Sequence, residues 1–260
     1  MSRTGALSEV VACAATSPLH LFTPRPCGET VWAISTTHGG GLLCGDAIKL
    51  ELRVGEQARA LLGTLSHTRV YRSTGAFVEQ RLLAKVARGA TLAVLPEPTA
   101  LFAKARFRQE QRFELSADAS LLFVDAFTEG RSARGEHWDF EACLSRNVVE
   151  VAGRPVLADG LRLVRGEGPS PALRMAGAAL IATLVALGPK FAAGAREILA
   201  RHAALPVEPD APVLWAASPL SDGVYLRLAA RTVEAGQAFL RKNLAFAAPL
   251  LGGDPFHRRP

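Results

Sequence analysis

Cysteine is scarce in this chain, and long apolar runs are absent. Four cysteines, Cys13, Cys27, Cys44 and Cys143, are scattered through 260 residues. No two of them form a CxxC pair, which excludes a zinc knuckle and a thioredoxin-like site. Usage this sparse in a chain of this size fits a reducing compartment. The longest apolar run, residues 175–187, is short of the ~20 residues a membrane span needs and reads as a buried core segment. The apolar stretch at residues 10–15 is too short for a usual signal-peptide core. A soluble, cytoplasmic protein is the expectation. The net charge is +6, yet no dense Lys/Arg block exists. The nearest concentration, Lys104, Arg106, Arg108 and Arg112, has strand spacing and is interleaved with Glu110 and Glu114. With few tyrosines and tryptophans for base stacking and no basic stripe, a nucleic-acid binder is disfavoured. GxGxxG, GxSxG and HExxH are also missing. The glycine-rich GGGLLCGD at residues 39–46 lacks a following GK[ST] and leads into a strand, so it is no phosphate cradle. It reads as a tight turn that Asp46 closes.

What is present is strand. Residues 48–54 (IKLELRV) alternate strictly, as a half-buried strand does. Residues 107–115 place Phe107, Gln109, Gln111, Phe113 and Leu115 on one face and charges on the other. Residues 148–151 and 155–157 flank Ala152-Gly153-Arg154 as a hairpin would. Turn signals recur every ten or so residues, which favours a large mainly-β structure over a βαβ sheet. The last third changes character. Gly188-Pro189 is expected to open a helix over about 189–203, because proline at the first helical position lacks only an N–H that has no partner there. A second helix is expected over about 232–246, capped by Thr232 and stopped before Pro249. Its apolar stripe, with Leu240 widened by Phe239 and Phe246, exceeds what one core face needs and suggests a partner surface. No composition break divides the chain, so one domain over 1–260 is expected.

The stretch TEGRSARGEHWDF, residues 128–140, follows the apolar strand LLFVDAF and carries two glycines among charges of both signs. On its own it reads as a hairpin whose Arg and Glu pair across the turn. Elsewhere, His38, Cys44 and Asp46 lie close enough in sequence to touch a metal, although spacing alone supports this weakly. His67 reads as a structural histidine at a strand start. Glu97 is held between two prolines in a stiff turn. The carboxylates Asp46, Glu97, Asp125, Glu129, Glu136 and Asp139 are accompanied by no recognisable nucleophile, a pattern that suits a polar channel or docking surface better than a covalent enzyme.

Taken in order, GGGLLCGD, TRVYRS (residues 68–73), LPEPTALF (95–102) and EGRSARGEHWDF (129–140) resemble the urease accessory protein UreD (UreH) family. The motif residues include Tyr71, Arg72, Gly130, Arg131 and Gly135. The resemblance runs from about residue 33 to the C-terminal tail. It implies a helix-like winding of many strands in layered sheets, with two α-helices in the C-terminal third. It implies a non-enzymatic chaperone that binds apo-urease and UreF, with the GTPase UreG held through UreF. Nickel would pass in transit through a polar interior, with no permanently bound cofactor. Asp46, Glu97, Asp125, Glu129 and Glu136 are the candidate conduit residues, and Phe239, Leu240 and Phe246 the candidate UreF contacts. The competing reading is a metal-dependent hydrolase on a β-rich fold, which predicts turnover by the isolated protein and a stable stoichiometric metal.

Overall fold

The computed structural model of the protein describes residues 1–25, 28–206 and 208–256. Cys27 and the last four residues of the tail lie outside that range. In chain order the strands begin with β1 (Ser2–Thr4), β2 (Leu7–Glu9), β3 (Leu19–Phe22), β4 (Thr30–Thr37), β5 (Ala47–Val54) and β6 (Arg59–Thr64). They continue through β7 (Thr68–Val70), β8 (Val78–Val86), β9 (Thr91–Leu95), β10 (Thr99–Leu101), β11 (Arg106–Leu115) and β12 (Ser120–Thr128). The last five are β13 (Ala142–Val151), β14 (Arg154–Val164), β15 (Leu180–Leu187), β16 (Val213–Leu220) and β17 (Gly223–Ala230). The α-helices are α1 (Pro171–Met175), α2 (Ala192–Ala204), α3 (Val233–Leu244) and α4 (Ala248–Leu251).

Two sheets are wound together. β4, β6, β9 and β12 pair in parallel in the larger sheet. β5, β8, β11 and β13 pair in parallel in the smaller one. The chain visits them alternately, so each turn of the winding lays one strand in each sheet. Parallel neighbours need a crossover connection; here the other sheet's strand supplies it instead of a helix. This is the expected solenoid-like winding. β14 turns back antiparallel on β13 through the expected Ala152–Gly153 hairpin. On the other sheet β15, β17 and β16 add antiparallel strands beyond β12.

The alternation of β11 is borne out, with Phe107, Gln109, Gln111, Phe113 and Leu115 buried and Arg108, Glu110 and Arg112 exposed. β12 is buried at all nine positions because both its faces are covered. Leu122, Val124 and Ala126 pack in the cluster that also holds Phe191, Ile198 and Leu240 from the helical region. The opposite face of β12 meets the smaller sheet. There Phe123 meets Phe113 at a tilt, 4.8 Å between ring centroids, and Phe127 meets Phe107 edge-on at 6.3 Å. Each such fully buried side chain contributes roughly 2–3 kcal/mol by leaving water.

Two expectations are corrected. Residues 128–140 form no hairpin: β12 and β13 lie in different sheets, and the stretch carries the chain from one to the other. The first long helix starts at Ala192 rather than Pro189, because Gly188 makes a turn at φ 90° whose carbonyl accepts from the Phe191 N–H at 3.0 Å. After α3 the chain remains helical as far as α4, Ala248–Leu251. α3 ends at Leu244, and residues 245–247 tighten into a 3₁₀ turn. The Thr232 hydroxyl caps α3 by accepting from the Ala235 N–H at 3.1 Å, the role its residue type predicted. Among the described residues, no helix is long and apolar enough to cross a membrane.

Candidate functional site

The four glycine- and charge-rich motifs meet at one place. Leu42 of the first donates its N–H to Arg69 O at 2.8 Å, and Tyr71 returns a bond to Leu42 O at 3.0 Å. Gly41 is required here, because a Cβ would lie 2.6 Å from Tyr71 Cε2 and 2.7 Å from Arg69 O. The Tyr71 ring meets Phe102 edge-on at 5.3 Å. The other partner of Phe102 is the Arg131 guanidinium, 4.4 Å from its centroid, a cation–π contact. Arg131 pairs with Glu136 across the loop, as the sequence suggested, and Glu136 Oε2 also accepts from the Ala103 N–H at 3.1 Å. Bonding to Arg131 holds the Glu136 carboxyl below its usual range. Glu129 accepts from or pairs with His137 Nδ1 at 2.7 Å and raises the imidazole pKa. Gly135 ends the 3₁₀ turn of residues 132–134 in the left-handed region at φ 75°, where glycine costs least. Arg72 is exposed.

Beside this node lies an open groove of about 710 Å³ lined by His67, Arg69, Glu97, Phe102, Gly130, Arg131, Arg241 and Phe256, among others. Glu97 sits in its floor with a side chain 13% exposed. Gln237 Nε2, from α3, donates to it at 2.9 Å, and His67 Nε2 lies 3.5 Å away. Glu97 also walls an inner cavity of about 100 Å³ together with Gln109, Gln111 and Asp125. Asp125 in turn walls a third cavity of about 210 Å³, with Ser145, Asn147, Thr183, Asp159 and Arg227.

Asp125 is the polar centre of the inter-sheet layer, between the Phe113–Phe123 and Phe107–Phe127 pairs. Gln109 Nε2 donates to both its oxygens at 3.0 Å, and Ser145 Oγ and Asn147 Nδ2 donate to Oδ2 at 3.1 and 3.0 Å. Burial raises its pKa against the lowering effect of those bonds. The donors lie in register on adjacent strands, Gln109 opposite Ser145 and Gln111 opposite Asn147. Burial and the nearby Asp125 charge also raise the Cys143 thiol.

The structure therefore brings together Glu97 and Asp125 of the expected carboxylates, and places the others elsewhere. Asp46 closes its turn by accepting from the Leu43 N–H at 2.7 Å. Glu129 and Glu136 anchor the loop between the sheets. Cys44 lies within 3.2 Å of Ser73 Oγ, and hydrogen bonds from Ser73 and Thr74 lower its thiol to about 6. His38 meets the His20 ring edge-on, 3.8 Å between centroids. No group of three or more His, Cys, Asp or Glu able to hold a metal exists among the described residues. The apolar stripe of α3 and the turn after it packs towards the protein's own core. Leu240 is 4% exposed, Phe239 packs on Trp215 at 5.2 Å, and Phe246 packs on Phe191 at 6.2 Å. Leu240 is buried in the core, whereas Phe239 and Phe246 are half-buried at its edge, beside the antiparallel extension β15–β17–β16. Gln109, Ser145, Asn147 and Asp159 were missed as site residues. For Gln109 and Gln111 a signal existed, since two glutamines fell on the inward face of an otherwise apolar strand.

The model of the UreD urease accessory protein family matches residues 1–259. The chain belongs to the UreD family. A urease accessory protein UreD of Anaeromyxobacter sp. (strain Fw109-5) is 55% identical over all of this chain and 88% of its own length. One from Sorangium cellulosum (strain So ce56) is 44% identical over 94% of this chain and 78% of that protein. Urease accessory protein D of Arabidopsis thaliana is 30% identical over 98% of this chain and 97% of its own length. Membership of this family supports a role in urease maturation.

Proposed function

We propose that this chain is a non-catalytic urease maturation factor through whose interior nickel passes on its way to apo-urease. UreF and the nickel-carrying GTPase UreG would act as its partners on the supply side. The observation that carries the reading is a set of three cavities linked by shared carboxylates, Glu97 lining the first and second and Asp125 the second and third. Oxygen donors of carboxylates, amides and hydroxyls hold a divalent cation without the tight grip of a histidine–thiolate cluster. A site meant for transit needs that weak hold. Glu97 stands where the open groove meets the inner cavity, and Asp125 where the inner cavity meets the third. The lining residues Gln109, Gln111, Ser145, Asn147 and Thr183 supply further neutral donors and acceptors. The hydrolase reading is favoured by no comparable feature, since no nucleophile, acid and base converge on any of these cavities.

The test is urease activation in a host carrying the cognate urease genes with this gene deleted and supplied on a plasmid. Glu97→Gln and Asp125→Asn keep side-chain size and remove one charge each. Both are expected to lower nickel-dependent urease activity while the folded protein accumulates normally. Wild-type activity in both would refute passage through these cavities.

A further inference from the structure

We propose that Arg227 is the gate at the far mouth of this path, occupying the cation position on Asp159 until an incoming divalent ion displaces it. The inference rests on the conduit reading above and adds a residue to it. Asp159 lies on β14, at the edge of the smaller sheet; Arg227 and Tyr225 lie on β17 of the larger one. Their side chains close the gap between the two sheets. The Asp159 side chain is 7% exposed, whereas that of Arg227 is 58% exposed. The guanidinium thus reaches from solvent onto a carboxylate that faces the cavity behind it. Arg227 Nη2 donates to Asp159 Oδ1, and its Nε donates to Tyr225 OH. Tyr225 OH in turn donates to Asp159 Oδ1 at 2.9 Å, so the same carboxylate oxygen takes both donors. The Arg227 guanidinium also lies 5.3 Å from the Tyr225 ring centroid.

The cavity behind this pair is the one Asp125 shares. A cation leaving Asp125 in this direction meets Asp159 next, and meets it already neutralised. A fixed positive charge at the mouth opposes passage of a divalent ion, and the low exposure of Asp159 limits screening by salt. Arg227 is long, flexible and mostly in water, so it can swing away while Tyr225 keeps one bond to the carboxylate. The arrangement retains the ion until it displaces the guanidinium from Asp159.

The experiment is a nickel titration of urease activation in the same host, comparing wild type, Arg227→Gln, Arg227→Lys and Asp125→Asn. Melting of each purified variant controls for folding, and Arg227→Lys keeps the charge if Arg227→Gln does not fold. The expected result is a fall of about tenfold in the nickel needed for half-maximal activation in Arg227→Gln, with a smaller fall in Arg227→Lys. A merely structural role would change the plateau and the melting point, not the nickel dose. An unchanged or increased nickel requirement in folded Arg227 variants, with Asp125→Asn impaired, overturns the gate and leaves the conduit standing. Wild-type behaviour of Asp125→Asn as well would remove the conduit and the gate with it.

Discussion

Two substitutions at Asp125 test the proposed conduit separately from the fold. Asp125→Leu removes the acceptor on which three donors converge. Gln109 Nε2 keeps a partner in Ser145 Oγ at 3.1 Å. Asn147 Nδ2 loses the one acceptor it has here, and leaving a buried donor unpaired costs about 1–3 kcal/mol. For a chain of 260 residues that corresponds to a fall in Tm of about 2–6 °C. Asp125→Asn differs. Its remaining oxygen can serve Ser145 and Asn147, and its amide can donate to Gln109 once that side chain turns its own amide over, so the stability change is within about 1 kcal/mol. The charge is gone in both variants. Scanning calorimetry at neutral pH should therefore separate them, while urease activation should fail in both. The pH dependence supplies a second check. Burial raises the folded pKa of Asp125, so the folded state binds the proton more tightly than the unfolded one. Its contribution is greatest below the unfolded value near 4 and declines as pH rises through the folded value. The stability of wild type relative to Asp125→Asn should fall over that window. Unchanged activation in a folded Asp125→Asn protein would refute the functional argument, and equal melting of the two variants would refute the hydrogen-bond argument.

Other consequences are local. Gly41→Ala should destabilise by about 1–3 kcal/mol through overpacking against Tyr71 and the Arg69 carbonyl, read as a lower denaturant midpoint with unchanged slope. Trp32→Phe removes the buried Nε1 donor to Leu251 O at 2.9 Å. It should cost about 1–2 kcal/mol and increase amide exchange in α4 before the rest of the chain.

The winding was legible in the sequence to the extent that its strands alternate. Residues 107–115 and 48–54 announce their buried faces because one face meets a core and the other water. β12 shows no alternation because helices cover one face and the smaller sheet the other. For the same reason the run at 175–187 was readable as buried core but not as the strand Leu180–Leu187. The passage from β12 to β13 looked like a hairpin because turn residues signal a change of direction, not a change of sheet. Which sheet a strand joins is decided by pairing with strands some thirty residues away, β9 for β12 and β11 for β13. The site was legible in part. Glu97 stood out between its prolines, and the Arg131–Glu136 pair followed from loop spacing. Asp159 did not stand out, because its importance comes from β17, which reaches it from the other sheet across more than sixty residues of chain.

The polar layer itself makes a further prediction. Gln109, Gln111, Asn147 and Asp125 interrupt a space that phenylalanines fill above and below, and the apolar clusters on its two sides are separate. A fully bonded polar set in a low-dielectric layer gains little over apolar packing of similar volume, whereas a half-removed one is costly. Replacing all four by leucine, with Ser145→Ala to remove the remaining hydroxyl of the set, should therefore leave stability within about 2 kcal/mol of wild type, even though Asp125→Leu alone is destabilising. The combined variant should fold cooperatively in urea and fail to support urease activation at any nickel concentration. If it instead unfolds, the layer is required by the winding. If it folds and activates urease, nickel does not travel between the sheets. A variant that folds and fails to activate urease would separate the proposed ion path from the demands of the fold.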